Sequence, residues 1–142
     1  MNVHRNPLDN CLSCYAETLN PASNRYCTDL RAIGAVYREH LRLMEHWRST
    51  LGIPMLDVRY EDLVADQEGW SRRIIEFCGL EWDDRVLRYH ESDRDVQTLS
   101  HDQVRKPIYS SSVARADRFG AHLDPLREAL GDALSEPATD PG

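Results

Sequence analysis

Arg5 and Ser13 stand eight residues apart around the start of a helix, and together they could hold a phosphate-type anion. Asn6 is a strong N-cap, and Pro7 suits the first helical position. Asp9 falls in the first turn, where negative charge is favoured by the helix dipole. From Asn6 to Ser13 the chain makes about two turns of 3.6 residues, so the hydroxyl returns to the face that Arg5 reaches over. A guanidinium and a hydroxyl converging there suit an anion. On spacing alone, the commoner outcome is an ordinary capped helix with a solvated arginine.

Two further places carry candidate chemistry. Tyr60 and Glu61 close a predicted strand, Met55–Tyr60, and ligands of open α/β sheets bind beyond the carboxyl ends of strands. Tyr60 reads equally well as a ligand contact or as a rim residue of the core, and Glu61 reads as structural. Downstream, Thr98-Leu99-Ser100, Gln103 to Pro107 and Arg115 gather hydroxyls and cations of the kind that meet oxyanions. Taken by themselves they describe a polar loop in solvent. Arg105 and Lys106 either line the same place or face water.

The cysteines point elsewhere. Cys11 and Cys14 form Cys-x-x-Cys, while Cys27 and Cys78 stand apart. A zinc site wants a second close pair of Cys or His, and thioredoxin-like chemistry wants the motif at a helix N-terminus after a strand. Cys11 lies in the second turn, so buried reduced thiols are the expectation and no metal is predicted. His46, His90 and His101 form no ligand set.

The elements that would position these residues are mostly helical. A first helix is predicted over Pro7–Leu19, ended by Asn20-Pro21. A long one follows over Thr28–Thr50, with Leu30, Ile33, Tyr37, Leu41, Met44 and Trp47 or Leu51 as its apolar stripe. Arg31, Arg38, Arg42, Glu45 and Arg48 fall mostly off that stripe, as a solvated face. Gly52 and Pro54 stop it, and Met55–Tyr60 is the one clear strand. Asp66 caps a helix through Cys78, where Gly79 suits a left-handed terminus and Leu80 the contact after it. Asp84–His90 is a short helix. Asp124 caps the last helix and Pro125 starts it, with Leu126, Leu130 and Leu134 inward. One strand among helices suggests an α/β layer, although one strand and a stub cannot make a sheet.

Composition fits one globular unit over residues 1–134 with a disordered polar tail over 135–142. Of 142 residues, 41% are hydrophobic and 29% charged, which argues against a disordered chain. A net charge of −7 argues against general nucleic-acid binding, so any anion site must be a local basic cluster. No run of about 18 apolar residues suggests a membrane span, and no signal peptide is read, so a cytoplasmic location is expected.

The stretch RNPLDNCLSCY resembles the 3′-phosphate-binding segment of the sulfotransferase superfamily, enzymes that use 3′-phosphoadenosine 5′-phosphosulfate (PAPS). RLMEHWR, LDVRYEDLVAD, FCGLEWDD and TLSHDQVRKPIY follow in the order of the branch that includes protein-tyrosine and bacterial sulfotransferases. The resemblance runs from about Val3 to about Leu130. It implies that Arg5 and Ser13 hold the 3′-phosphate, that Tyr60 packs near the adenine, and that Ser100 and Arg115 lie against the nucleotide phosphates. The family often has a Trp after that basic residue, where this chain has Ala116 and Asp117.

The family's 5′-phosphosulfate loop, on a strand–loop–helix like a P-loop, has no counterpart here: seven glycines include no Gly-rich loop followed by Lys and Ser or Thr. The usual general base belongs to the same missing half, and no catalytic residue is assigned. The expectation is the C-terminal half of a P-loop-like α/β sulfotransferase domain, mostly helical with one parallel-type strand. It would be a truncated product, a mis-called start or a remnant. Its implied function is sulfuryl transfer from PAPS to a hydroxyl, phenol or amine, with the chain alone inactive. The alternative is a non-catalytic nucleotide-binding or interaction module. Partners are the nucleotide donor and an unknown acceptor, and uncovered apolar surface is expected to favour self-association.

Overall fold

The structure, a computed structural model, describes residues 1–17, 24–91 and 105–135. The Asn6 side chain accepts from the amides of Leu8 at 3.0 Å and Asp9 at 3.2 Å, and so opens α1, Pro7–Ala16. The helix ends earlier than the expected Leu19, because Glu17 is already extended and caps it, its amide donating to the Ser13 carbonyl at 3.1 Å; Asn20-Pro21 lie outside the described residues. A 3₁₀ turn, Arg25–Thr28, leads to Asp29, whose carboxylate accepts from the Ala32 amide at 2.8 Å. That cap starts α2 at Leu30 rather than Thr28, and α2 runs to Thr50.

The sheet departs from the expectation of a lone strand. Asn2–His4 forms β1 and Asp57–Arg59 forms β2, paired in parallel with Asn2 opposite Asp57, Val3 opposite Val58 and His4 opposite Arg59. Asn2 Nδ2 also donates to Asp57 Oδ1 at 2.8 Å, and Arg48 of α2 ion-pairs with Asp57 at 2.7 Å. Val58 is completely buried. The strand is shorter than Met55–Tyr60 because Tyr60 opens a helix, α3, Tyr60–Ala65, with Glu61 and Asp62 in its first turn. Asp66 then caps α4, Gln67–Phe77, accepting from the Gly69 amide at 2.9 Å. The fold is thus mostly helical with a small parallel sheet, consistent with an α/β class.

The core lies where α1, α2 and the C-terminal segment meet. Cys11 and Leu12 of α1 and Ile33 of α2 pack with Ala116, Leu123, Leu126 and Leu130. Arg115–Leu123 is a 3₁₀ segment kinked at Gly120, and α5 covers Asp124–Leu130. Leu123, not Asp124, occupies the cap position, and no side chain caps α5. Gly131, at φ +52°, ends the helix, so Leu134 leaves the inward line and is 39% exposed. The predicted stripe of α2 is buried only along its first half. Trp47 and Leu51 are exposed, because a 21-residue helix is about 30 Å long and a seven-residue helix covers about 10 Å of it.

Smaller departures have local causes. Asp83, by accepting from the Arg85 amide, breaks the expected helix Asp84–His90 into 3₁₀ turns at Asp84–Val86 and Tyr89–Glu91. Gly79 is left-handed, at φ +68°, and closes α4 as expected: its amide donates to the Glu76 carbonyl at 2.8 Å and the Leu80 amide to the Ile75 carbonyl at 3.1 Å, although the Leu80 side chain is exposed. The basic face of α2 is solvated yet paired: Arg31 meets Glu128 at 2.6 Å and Arg38 donates to the Ala129 carbonyl at 3.2 Å. All four cysteines are free thiols. Cys11 and Cys27 are buried and Cys14 partly so, whereas Cys78 is exposed, contrary to expectation. Among the described residues no helix is long and apolar enough to cross a membrane, and no group of three or more His, Cys, Asp or Glu could hold a metal ion.

Candidate functional site

Two parallel strands end side by side, and each delivers a side chain to the same place. Arg5 follows β1 directly and Tyr60 follows β2 directly. The Arg5 guanidinium carbon lies 5.0 Å from the centre of the Tyr60 ring, within reach of a cation–π contact. Glu61 locks the two strand ends together, its Oε1 accepting from the Asn6 amide at 2.8 Å. That is the structural role the sequence suggested for it.

These ends open on a cleft of about 890 Å³. Arg5, Ser13, Tyr60 and Arg115 all line it, so four of the five residues singled out in the sequence converge. Ser100, with Thr98 and Leu99, lies outside the described residues. Arg105 and Lys106 are exposed and do not line this cleft. Tyr109 also faces it, and the Tyr89 phenol nearby is pushed up mainly by burial, with Tyr60 and Tyr109 adding to it.

The Arg5 guanidinium is held rather than loose. Arg5 Nη2 donates to the Ser112 carbonyl oxygen and lies 3.9 Å from Asp9 Oδ2. Its Nε is buried and has no hydrogen-bond partner among the described residues. A buried guanidinium donor without an acceptor is costly unless something else meets it. Arg115 makes no ion pair among the described residues, and it follows Ala114, a non-glycine residue held left-handed at φ +56°. Four guanidiniums line the cleft, from Arg5, Arg48, Arg59 and Arg115, alongside the carboxylates of Glu17, Glu45 and Asp57. Arg48 pairs with Asp57 and Arg59 with Glu61, so in a chain of net charge −7 Arg5 and Arg115 are the candidate local basic cluster for an anion.

Asp9 is a residue beside the cleft whose contacts the sequence does not show. It was legible as a favourable first-turn charge. The structure buries it to 2% exposure, and its Oδ1 accepts from the Ala116 amide at 2.7 Å, across 107 residues of chain. No local pattern signals such a contact. The Cys-x-x-Cys motif sits on the core side of α1, where burial first, and then Cys14 and Cys27, push the Cys11 thiol up to about 12. It therefore stays protonated and unreactive at neutral pH.

Comparisons with known proteins identify the family. A protein-family model described as a sulfotransferase family matches residues 1–84. An uncharacterized protein of Aquifex aeolicus (strain VF5) is 35% identical over 138 residues, which cover 96% of this chain and 18% of that protein. Protein-tyrosine sulfotransferase A of Caenorhabditis elegans is 41% identical over 58 residues, which cover 37% of this chain and 15% of the relative. The chain thus spans less than a fifth of the length of these curated relatives.

Proposed function

This chain belongs to the sulfotransferase family, and we propose that its cleft holds the nucleotide end of the sulfuryl donor PAPS, as the C-terminal half of a P-loop-like domain. Arg5 and Ser13 hold the 3′-phosphate, Arg115 adds a second cation, and Tyr60 lies against the base. Ser100 enters this reading from the resemblance alone. The observation that carries the proposal is the buried, unpartnered Nε of Arg5, on a cleft that Ser13 and Arg115 also line. The assigned donor set is two guanidiniums and a hydroxyl, which suits a phosphate dianion, while Glu45 and Asp57 on the same cleft pair with Arg48.

Bound PAPS supplies an activated sulfuryl group for transfer to an acceptor hydroxyl, phenol or amine. The residues of this chain would bind and orient the nucleotide and stabilise charge on the phosphate side as the nucleotide departs. The 142 residues contain no Gly-rich phosphate loop with Lys and Ser or Thr, so the sulfuryl oxygens are left to groups outside this sequence. No residue here is assigned as a base.

Titration of the chain with 3′-phosphoadenosine 5′-phosphate (PAP) and with adenosine 5′-phosphate (AMP) tests the assignment. A half-site loses many convergent contacts, so PAP should bind with a dissociation constant on the order of millimolar, yet about tenfold or more tighter than AMP. Arg5→Ala should remove about 2 kcal/mol of PAP binding and leave AMP nearly unchanged. Equal affinities for the two nucleotides in the unaltered chain would refute the reading.

A further inference from the structure

Asp9 is a buried carboxylate, and among the described residues only one of its oxygens is hydrogen-bonded. Oδ1 accepts from the Ala116 amide at 2.7 Å, while Oδ2 is buried without a hydrogen bond, 3.9 Å from Arg5 Nη2. Burying a carboxylate in this half-satisfied state carries a desolvation cost. Its contacts explain its presence. They join two of the four arginines that line the cleft, Arg5 and Arg115, which the chain separates by 110 residues.

The turn that carries Arg115 is pinned on both sides, by Arg5 at the end of β1 and by Asp9 in the first turn of α1. Arg5 donates to the Ser112 carbonyl oxygen before it, and Asp9 accepts from the Ala116 amide after it. Between the two bonds Ala114 is held left-handed at φ +56°, a conformation that persists only where the surroundings enforce it. Arg115 is the one residue between Ala114 and Ala116, so the Asp9 bond fixes the backbone from which it projects. The same carboxylate faces Nη2 of Arg5, whose Nε stays unpartnered.

We propose that Asp9 is the positioning residue of this anion site: one oxygen fixes the backbone of Arg115, and the other sets the guanidinium of Arg5. The proposal rests on the reading of the cleft as a 3′-phosphate site. Asp9 touches no ligand itself. It acts by holding two cations in one geometry, so that a phosphate meets both without ordering them first.

The test measures the ratio of PAP to AMP affinity in the full chain by NMR titration. Asp9→Asn keeps an acceptor for the Ala116 amide and removes the charge facing Arg5. It should lower the PAP preference about fivefold or more while AMP affinity stays within about twofold. Asp9→Glu keeps the charge but lengthens the arm, and should also lower the preference, by about threefold. In the unaltered chain the Ala116 amide resonance should move with PAP and not with AMP, a readout that needs no variant to fold. A chain that prefers PAP, with the preference intact in either folded variant or with an unmoved Ala116 amide, overturns the role of Asp9. A chain with no preference for PAP overturns the phosphate reading instead.

Discussion

Gly34 lies where α2 crosses α5, and a single added methyl there sets two known effects against each other. A Cβ built on Gly34 would stand 2.7 Å from Ala129 Cβ, 3.3 Å from the Ala129 carbonyl carbon and 3.4 Å from Leu126 Cδ1. Carbon atoms pack best about 3.5–4.0 Å apart, so the helices would have to separate by about 1 Å. Ala129 Cβ is fixed to its backbone and cannot rotate away. Overpacking of this kind costs about 1–3 kcal/mol. Against it, alanine in the interior of a 21-residue helix gains about 1 kcal/mol over glycine. The clash wins, and Gly34→Ala should destabilise the fold by about 1 kcal/mol. In an Ala129→Gly background the nearest atom is gone, and the same substitution should become stabilising by a similar amount. This double-mutant cycle is read by urea unfolding followed through far-UV circular dichroism. A Gly34→Ala protein that gains about 1 kcal/mol in the otherwise unaltered chain would refute the close seam.

Ala114→Gly should raise stability by about 0.5–1 kcal/mol, because glycine adopts the left-handed backbone at φ +56° without the Cβ penalty; a loss on urea unfolding would show that the turn is not strained. Alkaline stability should fall through Cys11, whose thiol is raised from 9.0 to about 12 in the fold. Above pH 9 the unfolded chain releases a proton that the native chain keeps, so this contribution is complete below pH 9 and is lost toward pH 12 at about 1.4 kcal/mol per pH unit. Cys11→Ala should remove that slope, and an unchanged pH profile in the variant would contradict the assignment.

The residues that sequence alone determined are those whose partners are local. Asn6 and Asp66 were legible as caps because a cap bonds amides two or three residues on, and the chain need only turn once to make that bond. That Arg5 and Ser13 line one cleft has a local part too, since helix pitch returns Ser13 to the side of the helix start that Arg5 precedes. Leu126 and Leu130 were legible from their spacing of four, while Leu134 was not, because Gly131 ends α5 first.

What tertiary structure decided depends on contacts between distant parts of the chain. The stub at Asn2–His4 became a strand only by pairing with Asp57–Arg59, and Tyr60 then opened a helix instead of closing a strand. Trp47 and Leu51 repeat the stripe of α2 but stay exposed, because the partner helix is shorter than the stripe. Asp9 is the sharpest case. Its place in the first turn follows from the helix dipole, whereas its bond to Ala116 depends on closing a loop of 107 residues. Periodicity records which face of an element is apolar. It does not record which distant amide will arrive beside a buried carboxylate, because that is set by the packing of α1 against the C-terminal segment as a whole.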